Sequence, residues 1–101
     1  MNVLFICNQN KNRSKTAKDI FKKKYTTKSA GLYTKKPVTK SQLEWADTVV
    51  VMEDVQRSEI ANRFPNIYLQ KKILSLGIPD TYHYGQLELK KILEIRMKGL
   101  I

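Results

Sequence analysis

The residues best suited to catalytic chemistry form the segment CNQNKNRS at positions 7–14. Its cysteine is the only one in the chain, and Arg13 follows it after five intervening residues. An apolar run precedes Cys7 and a helical pattern follows Ser14, which predicts a loop between a strand and a helix. The backbone N–H groups of such a loop attract anions. Because the planar guanidinium of Arg13 can bind two oxygens of one phosphate, the segment is a candidate phosphate site.

A cysteine in this loop is also a candidate nucleophile. Cationic groups and a helix start favour the thiolate, which is the reactive form, and Ser14 is placed to donate a hydrogen bond to it. The loop has no glycine, so Asn8, Asn10 and Asn12 are the residues best suited to a positive φ. The alternative is that Cys7 is only a small buried residue at a strand end, a common role for a lone cysteine.

A second segment, GIPDTYHYG at positions 77–85, follows the last predicted strand. Parallel strands end at a common carboxyl edge, so Asp80 is expected near Cys7. A carboxylic acid there can protonate the leaving oxygen of a phosphate ester and then activate water. His83 is a weaker candidate for this acid, and the tyrosines beside it could equally line a pocket or the core. The alternative is that Asp80 is a turn residue after Pro79.

Strand patterns alternate with helical patterns along the chain. The predicted strands are Asn2–Ile6, Thr26–Ala30, Thr48–Met52 and a strand within Lys72–Leu76. The predicted helices are one with Ala17, Ile20, Phe21 and Tyr25 on one face, Ser41–Ala46, one from an Asp54 cap to about Phe64 that Pro65 stops, and one containing Leu87, Ile92 and Ile95. Since each parallel strand needs a crossover connection, this order predicts a doubly wound, parallel α/β sheet.

Length and composition limit the possible functions. A chain of 101 residues is expected to form one domain, residues 1–101. No apolar run approaches the roughly 20 residues that cross a bilayer, and one cysteine cannot form an internal disulfide, so we expect a cytoplasmic protein. One Cys and one His cannot supply four zinc ligands without carboxylates. The glycines and Lys-Ser/Thr pair of a nucleotide-binding loop are missing. No metal or cofactor is therefore expected.

The net charge of +10 is unevenly distributed. Residues 1–40 contain eleven Lys or Arg and one acid, whereas residues 41–101 contain eight of each sign. All of the excess positive charge therefore lies in the part of the chain that carries Cys7. Part of it, at residues 22–24, could be a solvated helix end, but the whole asymmetry predicts a field that attracts anions.

Together these residues resemble the low-molecular-weight protein tyrosine phosphatase family, and within it a compact subgroup of predicted phosphatases. The resemblance spans nearly the whole chain and rests on VLFIC with Asn10, Arg13 and Ser14 after it, SAG at 29–31, WADTVVVME at 45–53 and IPDTY at 78–82. It implies three layers, with a four-stranded parallel sheet, helices on both faces and a phosphate-binding loop after strand 1. It also implies a cysteinyl-phosphate intermediate.

The resemblance implies specific roles for individual residues. Cys7 would be the nucleophile, Arg13 the phosphate ligand, Ser14 the thiolate donor, Asn10 a scaffold residue of the loop and Asp80 the general acid. The catalytic prediction is therefore Cys7, Arg13 and Asp80. The predicted substrate-binding residues are Asn8, Gln9, Asn10, Lys11, Asn12, Arg13, Ser14 and Tyr82.

Several positions depart from the pattern of the family. Gln9 replaces a glycine, Asn12 replaces a second cysteine, and Lys15 and Thr81 replace prolines, while Lys11 occupies a loop position that is commonly apolar. The leading prediction is a cysteine-dependent phosphomonoester hydrolase acting on phosphotyrosine proteins. One alternative is the same chemistry on an RNA end, a nucleotide or another polyanion, and another is a non-catalytic module that binds phosphate or nucleic acid. No membrane partner is expected, and the sequence does not indicate an oligomeric state.

Overall fold

The chain folds around a parallel four-stranded sheet in a computed structural model that describes residues 1–100. The strands are β1 (Asn2–Cys7), β2 (Thr26–Gly31), β3 (Thr48–Val51) and β4 (Lys72–Ser75). The helices are α1 (Arg13–Phe21), α2 (Lys40–Trp45), α3 (Asp54–Arg63), α4 (Pro65–Gln70) and α5 (Leu87–Met97). The strand order is β2-β1-β3-β4, and all three pairings are parallel.

Helices cover both faces of the sheet, because the side chains of the central strand β1 alternate between two apolar clusters. Val3, Phe5 and Cys7 belong to a cluster that includes buried residues of α1 and α5. Leu4 and Ile6 belong to the other cluster, with buried residues of α2, α3 and α4. The predicted three-layer α/β architecture is therefore confirmed.

The strand order reverses between β1 and β3, so the crevice at the carboxyl ends of these strands is where ligands bind in open sheets of this kind. The segments that leave the strands are joined there by backbone hydrogen bonds. The N–H of Met52 donates to the carbonyl of Ile6 at 3.2 Å, and that of Ile78 donates to the carbonyl of Met52 at 2.7 Å. The loops after β1, β3 and β4 consequently meet at one edge.

Several helix boundaries differ from the sequence prediction; α2, for example, is shifted by one residue from the predicted Ser41–Ala46. The first helix ends at Phe21, so Tyr25 lies beyond it. The N-cap of α3 is Glu53, with Asp54 as the first helical residue. Pro65 does not only stop a helix but begins α4, because proline lacks the N–H group that the first helical position leaves unbonded.

The last helix was located correctly, but two of its residues lie on the opposite face from the core. Leu89, Leu93 and Met97 are the buried residues of α5, whereas Leu87 and Ile95 are exposed. Leucine and isoleucine occur on both faces of this helix, so periodicity alone did not identify the buried one. Among residues 1–100, no helix is both long enough and apolar enough to cross a membrane.

Candidate active site

The segment of residues 7–14, called the cysteine loop below, joins the end of β1 to the start of α1. Cys7 is the last residue of β1, and only 3% of its surface is exposed. Arg13 is the first residue of α1, so the positive end of the helix dipole adjoins the loop. The strand–loop–helix arrangement predicted around Cys7 is thereby confirmed.

The thiol of Cys7 belongs to a short chain of polar contacts inside this loop. Its Sγ lies 3.0 Å from Oγ of Ser14, and Oγ of Ser14 lies 2.8 Å from Oδ1 of Asn10. Asn10 has a φ of 54° and is the only non-glycine residue with a positive φ in residues 1–100. Of the three asparagines considered for that conformation, one adopts it, and the resulting turn brings its amide to Ser14.

Arg13 is a buried cation with partners from two other segments. Only 1% of its side chain is exposed. Its Nη1 donates to the carboxylate of Glu53 and, at 2.7 Å, to the carbonyl of Ile78. Its Nε lies 3.7 Å from Oδ1 of Asp80. Because a charge this deeply buried requires partners, Glu53 and Ile78 hold the guanidinium in place.

Asp80 lies in the aspartate loop, which we define as residues 76–86 between β4 and α5. Its side chain is 56% exposed. A small cavity of about 30 Å³ lies between the two loops, and it is lined by Cys7, Gln9, Lys11, Asn12, Arg13 and Asp80. The structure thus brings the three residues of the catalytic prediction together, although Asp80 and Cys7 are distant in sequence.

The remaining predicted binding residues lie behind or beside this cavity. The carbonyl of Asn8 accepts from the N–H groups of Leu32 and Tyr33 at 3.0 and 2.8 Å, which ties the loop to the segment after β2. Tyr82 packs against the apolar cluster that includes α1 and α5. His83 is exposed, and its N–H donates to Oε1 of Gln86 at 3.0 Å. Neither Tyr82 nor His83 lines the cavity.

Two supporting residues beside this site were missed at the sequence level. Glu53, which pairs with Arg13, follows β3 directly, so the rule that placed Asp80 at the carboxyl edge also applies to it. Gln56 is buried on α3. Its Oε1 accepts from the N–H of Glu53 at 3.0 Å, and its Nε2 donates to Oδ1 of Asn8 at 3.0 Å. No pattern in the sequence pointed to Gln56.

Gly31 also supports the site, in a way that the residue types and their spacing did not predict. A Cβ atom at this position would lie 3.0 Å from the carbonyl oxygen of Asn8 and 3.1 Å from the backbone nitrogen of Asn10. Both distances are tighter than ordinary contacts, so a side chain would push the cysteine loop away from β2. Only glycine allows this close approach. Within residues 1–100, no group of His, Cys, Asp and Glu side chains could hold a metal ion.

Comparison with solved structures identifies proteins of the same fold. The chain is similar to the tyrosine phosphatase Wzb from Escherichia coli K30 in complex with phosphate, with a TM-score of 0.78, 20% identity, and coverage of 96% of this chain and 93% of that one. It is also similar to the low molecular weight protein tyrosine phosphatase from T. tengcongensis, with a TM-score of 0.74, 23% identity, and coverage of 95% and 92%.

A third similar structure has a different named activity. It is the YwlE arginine phosphatase from Geobacillus stearothermophilus, with a TM-score of 0.73, 19% identity, and coverage of 95% of this chain and 88% of that one. No protein family model matches the chain, and no curated protein sequence matches it. Taken with the strand order and the position of Cys7 at the end of β1, these likenesses establish that the chain has the fold of the low-molecular-weight protein tyrosine phosphatases.

Proposed function

We propose that this protein is a cysteine-dependent phosphomonoester hydrolase. The observation that supports this most strongly is the shared cavity of Cys7, Arg13 and Asp80, with Ser14 in contact with the thiol. A nucleophile, a bidentate anion ligand and a proton donor are the three groups that phosphate ester cleavage through a covalent intermediate requires. A module that only bound phosphate would not need a thiol beside a carboxyl group.

The phosphate would bind to donors that form no hydrogen bond within the protein, although Nε of Arg13 also lies 3.7 Å from the Asp80 carboxylate. Among the described residues, the backbone N–H groups at positions 9–14 donate no hydrogen bond to protein, and neither do Nε and Nη2 of Arg13. Nη1 is engaged with Glu53 and Ile78, so the other edge of the guanidinium remains for two phosphate oxygens. This division of the donors supports a fixed anion site that needs little rearrangement on binding.

The reaction would proceed in two steps. In the first, the thiolate of Cys7 attacks phosphorus, the S–P bond forms, the P–O bond to the leaving group breaks, and the carboxylic acid of Asp80 transfers its proton to that oxygen. In the second, the carboxylate of Asp80 takes a proton from water as the water oxygen attacks phosphorus. The S–P bond then breaks, which releases phosphate and restores the thiolate.

Ser14 and Asn10 would support the thiol in both of its forms. When Asn10 accepts from Ser14 through Oδ1, the Ser14 oxygen is free to accept from the S–H of Cys7. A half-turn of the Asn10 amide replaces Oδ1 with Nδ2, which then donates to Ser14. Ser14 can in turn donate its hydrogen to the thiolate, which stabilises the negative charge on sulfur.

We propose phosphoproteins, and phosphotyrosine in particular, as the substrate class, with residues 1–101 acting as one cytoplasmic domain. Cys7 is almost fully buried at the base of a narrow cavity, so a phosphate on a long side chain reaches it more readily than one on a short side chain. The alternative of an RNA end, a nucleotide or another polyanion rests on the basic residues 1–40. Turnover of phosphotyrosine peptides, phosphoserine peptides, nucleotides and phosphorylated RNA ends separates these candidates.

The first experiment measures turnover of a generic aryl phosphate by the wild type, Cys7→Ser and Cys7→Ala. Both variants should lose turnover, and Cys7→Ala should still bind inorganic phosphate because Arg13 and the loop remain. Acid quenching of the wild type during turnover should trap phosphate on Cys7, detected by mass spectrometry. Phosphate binding without turnover by the wild type would favour the binding module, and substantial turnover by Cys7→Ala would exclude the covalent mechanism.

A further inference from the structure

A second, larger cavity lies along α1, beside the small cavity that Cys7, Arg13 and Asp80 line and that we call the phosphate cavity. Its volume is about 340 Å³, and it is lined by Lys11, Lys15, Lys18, Asp19 and Tyr84. Lys11 lines both cavities, so a molecule bound at Cys7 could extend directly into the second one. We call this second space the lysine cavity.

The lysine cavity has an excess of positive charge. In the described part of the chain, none of its three lysines forms an ion pair. Its one carboxylate, that of Asp19, accepts a hydrogen bond from the hydroxyl of Tyr84, and this bond raises the pKa of Tyr84. Tyr84 therefore adds no negative charge near neutral pH. Three cations and one anion remain to interact with a ligand.

The wall formed by Tyr84 is held against α1 by hydrogen bonds from the aspartate loop. The N–H of Tyr84 donates to Oδ1 of Asn12 at 3.1 Å, and the N–H of Gly85 donates to Oγ1 of Thr16 at 3.0 Å. The same loop carries Asp80. Because Lys11 lines both cavities and this loop borders both, the lysine cavity lies directly beside the candidate active site.

We propose that the lysine cavity binds a second anionic group of the substrate, and that the preferred substrate is a phosphopeptide with an acidic side chain or a second phosphate beside the phosphorylated residue. This inference rests on the proposed function. A peptide is favoured over a nucleic acid because the cavity is a discrete pocket with one aromatic residue. Binding of single-stranded nucleic acid uses a continuous basic groove with several stacking aromatic side chains.

The test compares phosphotyrosine peptides that are identical except for residues flanking the phosphotyrosine, which are alanine, glutamate or phosphoserine. Three lysines that each change affinity by up to ~fivefold should give the glutamate peptide about a tenfold higher kcat/KM than the alanine peptide. The phosphoserine peptide distinguishes a phosphate from a carboxylate as the second group. The preference should weaken as ionic strength rises, since salt screens exposed charges.

The diagnostic variant is the double substitution Lys15→Gln/Lys18→Gln. It should bring the ratio of kcat/KM for the glutamate peptide to kcat/KM for the alanine peptide close to one. Its matched control is Lys22→Gln/Lys23→Gln. The control removes the same charge from exposed residues at and just beyond the other end of α1 and should keep the ratio. An equal loss in both variants would mean that general electrostatic steering, and not the lysine cavity, causes the preference.

Two further measurements keep this inference separate from the proposed function. Aryl phosphate turnover by the wild type tests the hydrolase alone. Peptide binding to Cys7→Ser, followed by fluorescence anisotropy, tests the lysine cavity whether or not turnover occurs. A ratio of one in the wild type would overturn the inference. Stronger, Lys15- and Lys18-dependent turnover of a 5′-phosphorylated oligonucleotide than of any peptide would also overturn it, in favour of nucleic acid.

Discussion

The two loops that form the candidate active site differ in how deeply they bury the side chains proposed for catalysis. In the cysteine loop, the side chains of Cys7, Ser14 and Arg13 are almost fully buried. The aspartate loop presents Asp80 with more than half of its side chain exposed. The first loop is also tied to the segments after β2 and β3 and to α3, through contacts of Asn8 and Arg13.

This difference fits separate roles for the two loops: the cysteine loop binds the phosphate, and the aspartate loop transfers the proton. An anion site works best when its donors are fixed before the anion arrives, because no reorganisation is then needed during the reaction. A general acid must both give and receive a proton from solvent, so exposure suits it. Substitutions in the cysteine loop should therefore lower the hydrolysis rate of all substrates alike. The effect of substitutions in the aspartate loop should depend on the leaving group of the substrate.

Apart from removal of the Cys7 nucleophile, the largest expected effect comes from Arg13→Lys. Lysine keeps the charge but loses the planar fork, so it cannot contact Glu53 and two phosphate oxygens together. Since one lost transition-state donor costs ~10²–10³ in rate, losing two should lower kcat/KM on the order of 10⁴-fold. The loss should be similar for aryl and alkyl phosphates. Activity near that of the wild type would mean that Arg13 does not bind the phosphate.

Asp80→Asn should have a smaller effect that depends on the substrate. Loss of the proton donor should slow hydrolysis of substrates with poor leaving groups by ~10²-fold. This is near the lower end of the rate effects of general acids, because water reaches this exposed position. A nitrophenolate leaving group should be affected far less. The alkaline limb of the pH–rate profile for phosphorylation should also disappear.

His83→Asn is the matched control for Asp80→Asn, because both positions belong to the aspartate loop. It should leave the alkaline limb and the leaving-group dependence unchanged. Inhibition by inorganic phosphate should change little in either variant, since the cysteine loop is intact. If His83→Asn removed the limb and Asp80→Asn did not, His83 would be the acid.

Asn10→Asp tests how firmly the cysteine loop supports the thiolate. Aspartate can accept from Ser14 but cannot donate to it, so Ser14 would lose its role as donor to sulfur. The expected loss in kcat is ~10-fold, the value of one hydrogen bond to a charged group. Asn10→Gly keeps the positive φ and leaves Ser14 free, so it should lose less activity. Equal losses would show that only the backbone conformation matters.

The smallest effect on activity is expected from Gln56→Leu, which acts through stability. This change leaves the N–H of Glu53 and Oδ1 of Asn8 without their partner, so the free energy of unfolding should fall by ~1–3 kcal/mol. Arg57→Leu is the control on the same helix. It removes an exposed ion pair with Asp54 and should cost less than ~1 kcal/mol. Denaturant unfolding of both variants decides whether Gln56 anchors the loop.

The sequence alone determined the parts of this protein that depend on local pattern and on general rules of α/β sheets. Alternating strands and helices predicted a parallel sheet. The segment at 7–14 made Cys7, Arg13 and Ser14 candidate site residues, and the shared carboxyl edge of parallel strands predicted that Asp80 lies near them, as it does. The fold was predictable because strand and helix periodicity are short-range properties, and because right-handed crossovers leave few ways to arrange the elements.

Only the tertiary structure decided which side chains contact one another across the fold. The partners of Arg13 are Glu53 and Ile78, which lie 40 and 65 residues away in the sequence, and Tyr82 packs on the core and not in the cavity. The lysine cavity also exists only because Tyr84 folds back onto α1. Such contacts depend on the packing of whole elements against each other, and no local pattern in the sequence records that packing.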